Sequence, residues 1–174
     1  MKVRIPERQR ILNPKARPTI RAMLQRCAAQ TLIEVFGFGG SGTRIRAVED
    51  EVNRLLGLYD SKYSDSKEEF KALLKYANEH GIDYPVRPGS GEKVLVGIEH
   101  DLMFLAYLIA LHALEHFGDK RLERFQQELC RRIRYYNYVF DGTPDVVLDV
   151  MDDRLARYGK TASEQFAPVK RDLY

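Results

Sequence analysis

Ala28-Ala-Gln-Thr-Leu-Ile-Glu-Val-Phe-Gly37 returns further along the chain as Ile109-Ala-Leu-His-Ala-Leu-Glu-His-Phe-Gly118. Glu34 aligns with Glu115, Phe36 with Phe117 and Gly37 with Gly118. After a gap, Arg44-Ile45 aligns with Arg121-Leu122, and Val48, Val52, Leu56 and Tyr59 align with Phe125, Leu129, Ile133 and Tyr136. Steps of four and three place each of these sets on one face of a helix. The reading is a duplicated unit of apolar helix, Phe-Gly corner and amphipathic helix. No run alternates as a strand, so the expected fold class is an all-α bundle with an extended basic arm in front.

Working outward, residues 1–17 read as the arm, because Pro6, Pro14 and Pro18 interrupt any helix there. The first helical half spans 18–81. Pro18 suits a first helical turn, the glycines from Gly37 to Gly42 break that helix, and a second helix runs from about Thr43 to Leu58. Ser66-Lys-Glu-Glu69 is a capping-box pattern with Ser66 as the cap of a third helix, which stops at His80-Gly81. Residues 82–91, rich in Pro and Gly, form a linker, and the second half spans 92–160. Its first helix, about 92–117, is apolar nearly all round, which predicts a central, buried position. Gly118 is expected to turn the chain in a left-handed conformation into a helix ending near Tyr138. Thr143-Pro144 then opens a last helix that stops at Gly159, and residues 161–174 are a tail.

The net charge of +3 conceals an asymmetry. Residues 1–26 carry eight basic side chains against Glu7 alone, a net +7, so the rest of the chain is net −4. A basic arm on a mildly acidic body points to an anionic partner. Cys27 and Cys130 lack C-x-x-C spacing and read as buried, reduced thiols, with a reducing bacterial cytoplasm as the expected compartment. The longest apolar stretch, Leu102 to Leu114, falls short of the roughly 20 residues of a membrane span. No membrane partner is expected.

Three motifs carry candidate chemistry. Gly37-x-Gly39-x-x-Gly42 matches the dinucleotide fingerprint, with Thr31 to Phe36 as its strand and Thr43 opening its helix. No β-α-β pattern follows it and its counterpart at Gly118 keeps one glycine, so a flexible interhelical corner is the favoured reading and no cofactor is expected. His112-Ala-Leu-Glu115-His116 matches H-x-x-E-H, in which two helical histidines bind zinc and the glutamate activates water. No third ligand is signposted, so a structural role is favoured and the metal site stays a minority candidate. Arg131-Arg-Ile-Arg134-Tyr135-Tyr-Asn-Tyr138 mixes guanidinium groups with rings that stack on bases, which makes it a nucleic-acid candidate beside a bland amphipathic reading. Arg44, Arg46, Asn53 and Arg54 make only a weak recognition helix.

His112-Ala-Leu-Glu-His-Phe-Gly-Asp-Lys-Arg-Leu-Glu-Arg-Phe125 resembles a set of small helical proteins of bacteriophages and prophages with a pattern near L-H-x-x-F-G-x-x-K-R-L-x-R-F. Leu148 to Gly159 is similar to the short terminal helix of that set. The resemblance covers roughly residues 105–160 and implies a phage context without transferring any catalytic residue. Lys120, Arg121 and Arg124 fall in the first turns of the fifth helix, where cations oppose the helix dipole, and that cost favours an anionic partner.

The expectation that follows is a non-enzymatic phage-type accessory protein that binds a host or phage protein, for instance to inhibit a defence or nucleic-acid-processing complex. Its contact elements would be Arg4, Arg8, Arg10, Lys15 and Arg17 of the arm, with Lys120, Arg121, Arg124, Arg131, Arg134, Tyr135 and Tyr138. The competing expectations are a DNA- or RNA-binding protein of phage replication or recombination, and a zinc hydrolase on His112, Glu115 and His116. Two like halves also suit pairing across a homodimer.

Overall fold

The three- and four-residue apolar periodicity becomes six helices, with no strand among the described residues. They are α1 (Arg17–Phe36), α2 (Thr43–Lys62), α3 (Ser66–Glu79), α4 (Ile98–Glu115), α5 (Asp119–Arg134) and α6 (Pro144–Ala156). The structure is a computed structural model that describes residues 17–39, 42–83, 98–136 and 144–158. The arm cations Arg4, Arg8, Arg10 and Lys15, most of the linker, Tyr138 and the tail lie outside these residues, as does the side chain of Arg17.

Two helices form the centre. In α4 every residue from Leu102 to Leu111 is buried, as an apolar perimeter requires. α1 is buried from Ala22 to Leu32 except for half-buried Gln25, although it is not equally apolar. Its alanines, Ala22, Ala28 and Ala29, permit close approach, and its buried polar groups are satisfied by hydrogen bonds. Arg26 donates from Nε and Nη2 to Asp152 at 2.7 and 3.0 Å, the Gln30 amide donates to the Met151 carbonyl at 3.3 Å, and Thr31 Oγ1 donates to the Cys27 carbonyl at 2.8 Å. α1 and α4 pack on each other, and each also serves the opposite half: α1 carries α5 and α6, while α4 carries α2 and α3. Helices joined by a Phe corner, α1 with α2 and α4 with α5, touch only lightly. The single core draws Val48, Val52 and Leu56 of α2, Leu73 of α3, Phe125, Leu129 and Ile133 of α5, and Met151 and Leu155 of α6. Each such fully buried side chain stabilises the fold by about 1.5–3 kcal/mol.

The helix ends explain where the chain turns. α3 is capped by Asp65 and not by the expected Ser66, which is its first helical residue: the Asp65 carboxylate accepts from the Lys67 amide at 3.0 Å, and Glu68 and Glu69 follow in the first turn. It stops as the His80-Gly81 pair predicts. Gly81 takes φ +74°, its amide donates to the Asn78 carbonyl, and the amide of buried Ile82 donates to the Ala77 carbonyl at 2.9 Å. α4 ends at Glu115, two residues earlier than expected, and this moves the left-handed residue. His116 adopts φ +53°, while Gly118 is extended at φ −81° and ψ 174°. Histidine is among the non-glycine residues that tolerate this region. α5 passes into π-helical backbone at Tyr135 and Tyr136, and its expected end near Tyr138 lies outside the described residues.

Candidate functional site

The two Phe corners meet. Phe36 and Phe117 meet at a tilt of 43° with centroids 5.0 Å apart, Phe38 meets Phe117 edge-on at 6.3 Å, and Phe125 continues the cluster from Phe36 at 6.3 Å to Tyr107 at 5.9 Å. Phe38 and Phe117 are almost wholly buried. Three guanidinium groups lie over this aromatic floor. Arg44 sits 3.9 Å above the Phe38 ring, Arg121 4.3 Å above Phe117, and Arg124 5.8 Å from the centroid of Phe36. The ring faces attract these cations and fix their stems, so less freedom remains to be lost on binding.

The corners are built alike in several particulars. Phe38 N–H donates to the Leu32 carbonyl at 3.0 Å, and Phe117 N–H to the Leu111 carbonyl at 3.3 Å, each spanning six residues. A left-handed residue precedes each Phe, Gly37 at φ +67° and His116 at φ +53°. An arginine from the first turn of the following helix covers each ring. Phe117 is therefore matched at the corner by Phe38, two residues beyond the Phe36 that the sequence alignment pairs with it.

Their ion pairing differs. Arg44 closes on Glu115 through both Nε and Nη2, and these hydrogen bonds raise the arginine's pKa. Arg121, Arg124 and the exposed Lys120 have no carboxylate in ion-pair range among the described residues.

Of the Arg-Tyr run, Arg132, Ile133, Tyr135 and Tyr136 are turned inward, whereas Arg131 and Arg134 are exposed. Arg132 donates to Gln30 at 3.0 Å and Thr31 at 3.3 Å and pairs with Glu34, tying α5 to α1. Tyr158 donates to the same Glu34 at 2.7 Å. Partial burial pushes the Glu34 pKa up, but hydrogen bonds from Tyr158 and Arg132 and the charges of Arg132 and Arg154 outweigh it and leave the pKa lowered. Arg154 donates to the hydroxyls of Tyr135 and Tyr136 at 3.2 and 3.1 Å, and buried Tyr136 donates to Gln30. Arg131 makes a surface pair with Glu128, while Arg134 is exposed and engaged in an interaction of its own. In α2, Arg54 pairs with Glu51 and Asn53 accepts from Gln25, so of the weak recognition set only the Arg46 side chain has no hydrogen-bond partner among the described residues.

His112, Glu115 and His116 do not share a helical face, because the helix ends between the second and the third. His112 Nδ1 is 2.9 Å from the Phe117 carbonyl, Glu115 holds Arg44, and His116 is exposed in the corner. Among the described residues no three His, Cys, Asp or Glu side chains stand close enough together to hold one metal ion. In the glycine motif, Thr31 to Phe36 is the end of α1 and not a strand, and Gly42 at φ +68° caps α2. Cys27 is buried, its thiol pKa pushed up to about 12 by burial, which keeps it protonated and inert; Cys130 is half-buried.

Two buried polar groups gave no motif. Glu49 of α2 is enclosed against α4, where it accepts from the Tyr107 hydroxyl. Burial raises its pKa to about 8; the Asp50 charge adds to the rise, and hydrogen bonds from Tyr107 and Gln25 oppose it. Its position one residue after Val48 and three before Val52, on the apolar face of α2, is the sequence signal that could have found it. His100 of α4 is 5% exposed, neither ring nitrogen has a hydrogen-bond partner among the described residues, and burial lowers its pKa to about 4.

No helix among the described residues is long and apolar enough to cross a membrane. Comparison of the chain with protein-family models, curated proteins and solved structures finds no significant match.

Proposed function

We propose that this chain is a non-enzymatic accessory protein of the bacteriophage type, acting by binding a host or phage protein through the cationic cover of its Phe corners. One observation carries the reading: Arg121 lies over the buried Phe117 ring and Arg124 over the half-buried Phe36 ring, beside Lys120, with no carboxylate in ion-pair range among the described residues. Cations in the first turns of a helix are locally unfavourable, and guanidinium groups on aromatic floors are characteristic of protein interfaces. Exposed Leu114, 44% accessible at the end of α4, adds apolar area on the same corner. Asp119 and Glu123 are interspersed with these cations on α5, which suits a protein surface better than a phosphate backbone. The likeness of the two corners supports descent from one duplicated unit, and the resemblance over residues 105–160 supports the phage context.

The test is capture of bacterial proteins on the tagged full chain, in parallel with a K120E/R121E/R124E triple variant, followed by reconstitution with the purified binder. The reading requires a protein held stoichiometrically by the first bait and lost with the second. Equal retention by both would remove α5 from the interface, and retention of nucleic acid alone would replace the reading with the nucleic-acid one.

A further inference from the structure

Arg44 and Arg121 occupy matching places, each over the buried phenyl ring that follows a left-handed residue. Arg44 has a carboxylate because Glu115 is the last residue of α4, immediately before His116. The matching residue before Gly37, the last of α1, is Phe36, which brings a ring where its counterpart brings a charge. Glu34, the nearest carboxylate in the sequence, is engaged by Arg132 and Tyr158. Among the described residues Arg121 is thus left with its ring and without an acid, and Arg124 lies over the Phe36 ring that took the acid's place.

We infer that the partner supplies the missing group: Arg121, flanked by Arg124 and Lys120, receives an Asp or Glu carboxylate of an acidic peptide segment, in the two-pronged manner in which Arg44 receives Glu115. The chain itself provides the template for the contact. The fork geometry of a guanidinium matches a carboxylate with two parallel N–H···O bonds, which an ammonium cannot reproduce. This inference rests on the binding reading above and names the chemistry of its partner.

The experiment follows the arginine Nε–Hε resonances of the full 15N-labelled chain as a short glutamate–alanine peptide is added, with an oligothymidylate and inorganic phosphate as separate arms. Arg121 and Arg124 are expected to shift saturably with the peptide while Arg44, already closed on Glu115, stays in place. R121Q and R121K are each expected to weaken the peptide by about tenfold, the worth of one charge-assisted pair, with an otherwise unchanged spectrum. Absence of a saturable Arg121 shift overturns the inference. If the peptide moves resonances only on another face, the protein-binding reading survives and this site does not. A shift of Arg121 with oligothymidylate or phosphate but not with peptide overturns both. Undiminished affinity in R121K would refute the two-pronged contact.

Discussion

The Tyr107 hydroxyl donates to the Glu49 carboxyl group in the interior, joining α4 to α2 where both side chains are buried. Burial is the dominant influence on Glu49 and holds its pKa near 8 in the folded chain, against 4.5 for a free glutamate. Between those values the unfolded chain binds fewer protons than the folded one, so stability falls as pH rises from about 4.5 to 8 and levels off above. Glu49→Gln keeps an acceptor for Tyr107 and removes the ionisation. Its Tm should match the wild type near pH 4.5 and exceed it by several degrees above pH 8. Parallel pH profiles of the two proteins would refute the buried, protonated carboxyl.

His100 has the opposite sign. Its pKa is lowered from 6.5 to about 4, so the unfolded chain binds the extra proton first and stability is lost as pH falls through that window. An imidazole with both nitrogens lacking partners among the described residues also carries a desolvation cost of about 1–3 kcal/mol. Thermal melts of His100→Leu at pH 5 should lie above those of the wild type, with a smaller gain at pH 7.5. A loss of stability at both pH values would mean that the imidazole is hydrogen-bonded in the folded protein.

Adjacent arginines on α5 should behave oppositely. Arg132→Ala unhooks Gln30, Thr31 and Glu34 together and should cost about 2–4 kcal/mol in urea denaturation. Arg131→Ala removes only an exposed pair with Glu128 and should stay within about 0.5 kcal/mol. Comparable losses would contradict the inward role of Arg132.

The second corner gives a backbone test. Gly118 is extended with open space around its Cβ position, so Gly118→Ala should be nearly neutral. His116 carries the left-handed strain, and glycine there should recover about 1 kcal/mol by chemical denaturation, apart from the loss of any His116 contact. A large cost for Gly118→Ala would place the turn where the sequence first suggested it.

The elements were readable locally and their assembly was not. Pro18, Thr43, the Ser66 region and Pro144 mark helix starts to within a residue, because caps and φ restrictions act over a single turn. Periodicity tells which face of α2 or α5 is apolar, yet not that α2 would meet α4 and α5 would meet α1. The alignment of Phe36 with Phe117 failed at the corner because the connections differ in length, and hydrogen bonding there follows the helix end. Lys120, Arg121 and Arg124 were legible as cations against a helix dipole. The phenyl floor beneath them depends on two corners distant in sequence coming together. Arg132 looked like one more surface arginine, although its place one residue before Ile133 and three after Leu129 sets it at the edge of the buried stripe.

The most direct measurement is fluorescence anisotropy of a labelled glutamate-rich peptide and of labelled DNA and RNA, each titrated with the full chain, a version starting at Pro18, and the K120E/R121E/R124E variant. Binding of the acidic peptide by both wild-type lengths, weakened by salt and abolished by the triple variant, is the predicted result. Preferred binding of nucleic acid that needs the arm and ignores the α5 charges would contradict it.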